Sequence, residues 1–387
     1  MTVAPPILAG APGSFARGVF HDRHPKLIEQ VLAAHPYNAA AAAALRELLA
    51  ESTAGVLEPL VTTAEGAAHW SAWGAGLWGR PWAEVPFLWA ESYFYRRLLE
   101  AVGYFGPGPW RGIDPFAPTK AAELAGPAVA DELAALDGLV DIPLDKRRSA
   151  LLLSALWGNQ ADLSFQLTAG ANARATRLLV DDGDALWSRL SRTTDPLVCV
   201  IADNAGRELL PDLILIDHLL TTAAVARVTL HVKPRPYYVS DATMTDVLAA
   251  LRVLRTADTT AARAVGQRLW AAVREDRLVV RDHEFFCAPL PFHEMPADLA
   301  TEFAGAAITV VKGDLNYRRL VGDRHWPPTT PFADLVDYFP TPVLALRTLK
   351  SDVAVGLTDD QVRALDATGT PWRTSGEHAL IQASVSA

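Results

Sequence analysis

From about Arg174 onward the chain alternates short apolar runs with segments of helical period, and few folds accommodate that pattern. The runs cover 177–180, 197–202, 227–232, 278–280, 308–311 and 343–346, each followed by a polar or glycine turn. Helical segments are expected over 208–222, 243–255, 261–274 and 359–367. A short, continuous apolar run suits a strand buried on both faces, and helices between such strands read as βαβ units. The expected fold class is therefore α/β, with a mostly parallel sheet covered on both sides.

The earlier part of the chain reads differently. Helices are expected over 38–51, 82–102, 121–136 and 144–167, separated by proline and glycine clusters at 103–118 and 141–143. Proline lacks an amide donor and glycine costs backbone entropy, so both interrupt helices. Two units follow: a helical N-terminal domain over 1–170 and a sheet domain over 171–387. Half of the residues are hydrophobic and 20% are charged, which supplies a core and excludes wholesale disorder.

An open parallel sheet binds ligands outside the carboxyl ends of its strands. Asp203 and Asn204 follow the 197–202 run, and Glu208 opens the next helix. Lys233, Ser240 and Asp241 follow 227–232. The run at 308–311 leads into Lys312-Gly313-Asp314-Leu315-Asn316-Tyr317-Arg318, and the run at 343–346 into Arg347-Thr348-Leu349-Lys350. Four separated segments thus carry Asp, Asn, Lys and Arg to one edge.

Two aspartates and an amide oxygen form a hard-oxygen set for Mg²⁺, Mn²⁺ or a similar ion. The chain has no HExxH, and its two cysteines, Cys199 and Cys287, form no CxxC pair. Neither a protease-type zinc site nor a disulfide framework is expected. Lys312, Arg318, Arg347 and Lys350 are candidate phosphate holders, arginine through a bidentate fork and lysine as a point charge. Asp314 and Asn316 are candidates to face the rest of the substrate or the attacking water. One divalent ion beside such cations suits metal-assisted hydrolysis of a phosphate ester. Structural roles compete, since Asp241 and Asp314 are also candidate helix caps. Gly74-Ala75-Gly76-Leu77-Trp78-Gly79 matches GxGxxG, but no strand pattern precedes it, so it reads as a glycine turn among tryptophans.

The formal charge of −9 argues against nucleic acid and anionic membranes as partners and leaves room for a small phosphorylated metabolite. No basic leader and no apolar stretch of ~18 residues is present, so a cytoplasmic protein is expected.

At these segments the sequence resembles the metal-dependent damage-control phosphatases, in the subfamily marked by an Arg-Thr-x-Lys motif. The resemblance is carried by Leu156-Trp157-Gly158-Asn159-Gln160-Ala161-Asp162-Leu163-Ser164 and Ala202-Asp203-Asn204-Ala205-Gly206-Arg207-Glu208. It continues through His231-Val232-Lys233-Pro234 with Ser240-Asp241, Lys312 to Arg318 with Gly322-Asp323-Arg324, and Leu346-Arg347-Thr348-Leu349-Lys350-Ser351-Asp352. Phe94-Tyr95-Arg96-Arg97 and Asp114-Pro115-Phe116 resemble the family's N-terminal part. The resemblance implies a three-layer α/β/α sheet domain with a helical N-terminal domain. It also implies a phosphatase for sugar phosphates such as fructose 1-phosphate, using one divalent ion (manganese, cobalt, nickel or magnesium). By motif, Asp203, Asn204 and Asp241 would be the metal ligands, with Glu208 beside them. Glu208, Asp314, Leu315, Asn316, Tyr317, Arg318 and Lys350 would contact the substrate.

Two departures bear on the pocket walls. Asn159-Gln160 stands where the family pattern has Asn-Arg, and 285–292 lacks an expected tryptophan. The alternatives are an S-adenosylmethionine-dependent carboxyl methyltransferase and a non-catalytic binding protein of the same fold. The first is disfavoured because no glycine-rich loop follows the first strand. The second is disfavoured by the intact Asp203-Asn204 pair and Arg-Thr-Leu-Lys.

Overall fold

The computed structural model describes residues 3–61, 64–139, 142–158, 177–222 and 225–385. Its centre is a seven-stranded sheet of β1 (Leu178–Asp181), β2 (Leu197–Ile201), β3 (Arg227–Val232), β4 (Leu278–Asp282), β5 (Ile308–Lys312), β6 (Val343–Thr348) and β7 (Ala379–Ser384). The order is β1-β7-β6-β5-β2-β3-β4. Strands β2 to β6 run parallel, whereas β7 is antiparallel to β6 and parallel to β1. All six expected strands are present. The seventh is an addition: its apolar run is broken by Gln382, which is buried and donates to the Val355 carbonyl at 2.8 Å.

The pleat explains how one sheet serves two cores, because successive residues point to opposite faces. Val198, Val200, Leu230 and Val310 pack with helices Leu144–Trp157, Leu209–Thr222, Met244–Arg255 and Thr260–Arg274. Cys199, Ile201, Val311 and Ala345 face the other way, into a core shared with Phe303, Tyr317 and the N-terminal Trp70, Trp82 and Phe87. The result is the expected α/β/α arrangement. The N-terminal helices share a core with the sheet, and Leu144–Trp157 covers the opposite face.

Local chemistry sets the helix ends. Asn38 caps Ala39–Ala54, its Oδ1 accepting from the Ala41 amide at 2.9 Å. The expected 82–102 helix is a 3₁₀ turn at Trp82–Glu84 followed by Phe87–Ala101, which starts behind Pro86. The expected 121–136 helix is two helices, Ala117–Leu124 and Pro127–Ala135, because Pro127 has no amide proton to continue a ladder but suits a first turn. The 144–167 expectation gives Leu144–Trp157, which ends at Gly158 with a φ of +50°, and 159–167, with Asn159 to Ser164, lie outside the described residues. Gly74 belongs to a turn against the Trp78 ring, where an added Cβ would lie 2.0 Å from a ring carbon. Among the described residues no helix is long and apolar enough to cross a membrane.

Three histidines are buried without charge partners that favour protonation. Burial, reinforced by nearby arginines, holds His24 and His231 down to about 3 and His218 down to about 4. The unfolded chain binds these protons near pH 6.5, so between the two values it carries more protons than the folded one. The stability they contribute is complete above about pH 6.5 and is lost as pH falls toward the folded values. Urea midpoints are expected to drop between pH 7 and pH 5, with a smaller drop in His231→Phe. An equal drop in both proteins would remove His231 from the account.

Candidate active site

After β2 the chain steps outward to β3 and β4, then returns to lay β5 on the other side of β2 and continues to β6. The connections leaving β2 and β5 therefore diverge, which opens a crevice at their carboxyl ends. Asp203 and Asn204 leave β2 there, and Gly313 and Asp314 leave β5.

A short backbone clamp adds Asp241. The Ala205 amide donates to the Ser240 carbonyl at 2.6 Å, and the Ala242 amide donates to the Asp203 carbonyl at 2.9 Å. Asn204 and Asp241 form an antiparallel bridge between them. The Asn204 amide nitrogen donates to Glu208 Oε2 at 2.7 Å, and its Oδ1 accepts from Ser240 Oγ at 2.7 Å. Asp241 Oδ2 accepts from the Tyr238 amide at 3.0 Å. From the N-terminal part, the buried Lys120 donates to the Asp241 carbonyl at 2.8 Å while pairing with Asp114 and Asp246 at 2.9 and 3.0 Å. The loop bearing Asp241 is thus held from both sides.

Uncompensated negative charge gathers at this pair. Burial pushes the Asp203 carboxyl well above the usual carboxylate range, and the charges of Asp241 and Glu208 push the same way; Lys350 and Lys233 offset only part. Among the described residues no three His, Cys, Asp or Glu side chains converge on one point. The donor set is instead two aspartates and one amide oxygen. That set fits an Mg²⁺-like ion, which takes one or two carboxylates and leaves its other positions to water and phosphate.

Gly313 is shaped to this carboxylate. Its φ is +83°, and a Cβ there would lie 1.8 Å from Asp203 Oδ2. Gly313→Ala is expected to displace Asp203 and lower phosphate release about a hundredfold, as ångström-scale misplacement does. Gly369→Ala serves as the control, because φ is +66° but nothing lies within 4 Å of its added Cβ. Similar losses in both variants would place the effect in backbone strain rather than at Asp203.

Asp203, Asn204, Asp241 and Asp314 line one cavity of about 470 Å³, together with Leu315, Arg318 and Lys350. Glu208 sits behind them in a narrow crevice with Lys312 and Asp212. Two other cavities, of about 350 and 810 Å³, lie around His218 and Arg268 and around Phe339 and Pro342, away from these strand ends.

Five of the expected contacts do not line this cavity: Glu208, in the crevice behind it, and four that are buried beneath it. Lys312 is buried beneath the site, 2.8 Å from Asp212 Oδ1, because β5 continues through it and directs its side chain into the helix layer. Asn316 is fully buried and donates to the carbonyls of Ala202 and Lys312 at 2.9 and 2.8 Å, tying the ends of β2 and β5 together. Tyr317 points into the core, with its hydroxyl on Gln382 Oε1 at 2.5 Å. Arg347 is fully buried, its Nε donating to Asp314 Oδ1 at 2.8 Å and its Nη2 to Ser351 Oγ at 2.9 Å. These residues build the site from below.

The capping roles also fall elsewhere. Thr243 caps Met244–Arg255 in a box with Asp246, which frees Asp241 for the cavity. The Asp314–Val321 helix begins behind Gly313, and Asp314 spends Oδ1 on Arg347 and Ser351. Burial alone would raise the Asp314 carboxyl, but Arg347 and Arg318 outweigh it and hold it below the usual range.

The far wall of the cavity comes from the N-terminal part, where strand-end reasoning does not look. Glu91, on Phe87–Ala101, accepts from Arg318 Nη1 at 2.9 Å, and Arg318 is also paired with Asp323 at 2.8 Å. Arg23, His24 and Lys26 line the cavity as well. The available signal for Glu91 was a lone acid inside the aromatic run Trp89-Ala90-Glu91-Ser92-Tyr93.

Known proteins bear on this geometry. Residues 19–365 match the damage-control phosphatase ARMT1-like domain. Damage-control phosphatase ARMT1 of Rattus norvegicus is 32% identical over 333 residues, spanning 79% of this chain and 75% of the relative. The Homo sapiens protein of that name is 30% identical over 331 residues, spanning 78% and 75%. The crystal structure of a DUF89 family protein from Pyrococcus horikoshii covers 94% of this chain and 96% of its own, with a TM-score of 0.51 at 15% identity, a likeness of fold. The chain therefore belongs to the family of damage-control phosphatases with an ARMT1-like domain, and that membership supports a phosphatase role.

Proposed function

We propose that this protein is a divalent-metal-dependent phosphomonoesterase acting on a small sugar phosphate such as fructose 1-phosphate. The observation that carries the reading is the backbone bridge between Asn204 and Asp241, which, with the Ala242 amide on the Asp203 carbonyl, brings both aspartates to one cavity with too little positive charge around them. Asp203, Asn204 and Asp241 would hold manganese, cobalt, nickel or magnesium. Such an ion, when bound, polarises the phosphoryl group and lowers the pKa of water.

The chain's own residues do the rest. Lys350 is 41% exposed and held only by a long 3.9 Å pair with Glu208, so its ammonium can turn to meet phosphate oxygens. Arg318 is fixed by Glu91 and Asp323, presenting a rigid guanidinium to the cavity. Asp314 makes its protein contacts through Oδ1, which leaves Oδ2 to accept from a sugar hydroxyl or from water.

A panel of phosphate esters crossed with these four ions tests the reading. Phosphate release is expected only with an added ion. In Lys350→Ala, KM is expected to rise about tenfold, the size of one charge-assisted contact, while the ion still binds. No release from any ester with any ion would sink the proposal.

A further inference from the structure

The mouth of the cavity carries positive charge that phosphate chemistry at Asp203 does not use. Arg23 immediately precedes the helix His24–Ala34 in continuous helical backbone, and Lys26, Leu27 and Gln30 follow three, four and seven residues on, so the four share one face, and all four line the cavity. Arg23 and Lys26 are exposed, and no ion pair engages either among the described residues. This differs from Arg318 and Arg347, deeper in, each matched to a carboxylate. The Arg23 guanidinium lies 4.7 Å from the centre of the Phe15 ring, which lines the same cavity, so its position is limited before a ligand arrives.

His24 supplies a second, independent observation. It also lines the cavity, is 1% exposed, and neither ring nitrogen has a hydrogen-bond partner. Buried polar nitrogens are normally satisfied, and this imidazole, stacked on the Phe94 ring at 3.7 Å beside two unpaired cations, keeps an unspent donor at the cavity wall. The cavity is thus divided by charge. Its inner end holds Asp203 and Asp241, its rim holds Arg23 and Lys26, and the apolar side chains of Leu27 and Leu315 contribute to its walls. An uncharged sugar gains little from such a rim, whereas an acidic group there meets charge-assisted donors.

We propose that Arg23, His24 and Lys26 form a second anion subsite, so that the substrate is a phosphomonoester carrying a further acidic group, carboxylate or phosphate, remote from the scissile ester. This rests on the phosphatase reading and narrows its substrate class.

The test uses matched esters of three lengths on the metal-loaded full chain. They are glycerol 3-phosphate with 3-phosphoglycerate, erythritol 4-phosphate with 4-phosphoerythronate, and fructose 1-phosphate with fructose 1,6-bisphosphate. In at least one pair, kcat/KM is expected to favour the diacid about tenfold, and Arg23→Gln/Lys26→Gln is expected to erase that ratio through KM. Calorimetric titration of the same six compounds into the metal-free chain, where no ester is turned over, gives a readout independent of turnover, with the diacid binding more tightly to wild type than to the double variant. Equal kcat/KM and equal binding within every pair would overturn the subsite. So would a double variant that weakens both members of each pair by the same factor. Absence of phosphate release with a preserved diacid preference in binding would instead reject the phosphatase reading and keep the subsite.

Discussion

Asp203→Ala is expected to lower phosphate release at least about a thousandfold and to leave the metal-free protein no less stable than wild type. The two halves have one cause. Asp203 faces Asp241 and Glu208, and burial together with their charges raises its carboxyl far above the ordinary range. In the absence of a cation this like-charge contact opposes folding, so its removal relieves the metal-free state. With a cation the sign reverses, because the carboxylate becomes a ligand. Melting with and without manganese separates the two. Wild type should gain about 2.7 kcal/mol at an ion concentration of 100 times Kd, and Asp203→Ala should gain far less. An unchanged manganese-dependent rise, or unchanged turnover, would falsify the assignment of Asp203.

Arg347→Met is expected to destabilise the fold by about 3–5 kcal/mol, a large share of the total stability of a typical domain. Arg347 has no exposed surface. Its guanidinium binds Asp314 Oδ1, Ser351 Oγ and the Val353 carbonyl, and it lies 4.3 Å from the centre of the Tyr317 ring. Removing it strands the Asp314 charge and leaves the 351–353 loop without its donor. Arg347→Lys keeps the charge but loses the fork, so it should remain destabilising. Adding Asp314→Asn to Arg347→Met should recover part of the loss, since the stranded charge is then gone. Denaturant unfolding of wild type, Arg347→Met, Asp314→Asn and the double variant measures this coupling, and strictly additive effects would show that the pair is not a unit. Activity should fall in every member, because Asp314 lines the cavity.

Arg347 also marks the limit of reading function from strand ends. Strand ends are local features, and β2, β3, β5 and β6 were all legible from their apolar runs, as were Asp203, Asp241, Asp314 and Lys350 behind them. Which side chains at those ends meet a ligand depends on the pleat and on the neighbour across the gap. Lys312 fell into the helix layer opposite Asp212, and Asn316 turned back to tie two strands together. Both kinds of position look alike in sequence: polar residues following an apolar run.

The far wall was invisible for a different reason. Glu91, Arg23 and Lys26 sit on N-terminal helices whose own periodicity describes only a buried stripe and a wet one. Their nearness to Asp203 follows from the shared core that packs Trp70, Trp82 and Phe87 with residues of the sheet, a relation across more than a hundred residues of chain. Strand β7 was obscured similarly: buried Gln382 breaks its apolar run, and only its pairing with β1 and β6 makes it a strand.

Periodicity and residue chemistry were enough to say that this chain forms a covered parallel sheet with hard oxygen donors at one edge. Both depend on neighbours within a few positions, and burial preferences act on those directly. The order of the strands, the opening between β2 and β5, and the choice of which cations face the cavity were decided by packing. Long-range contacts set those features, and no local pattern encodes where a returning chain will land.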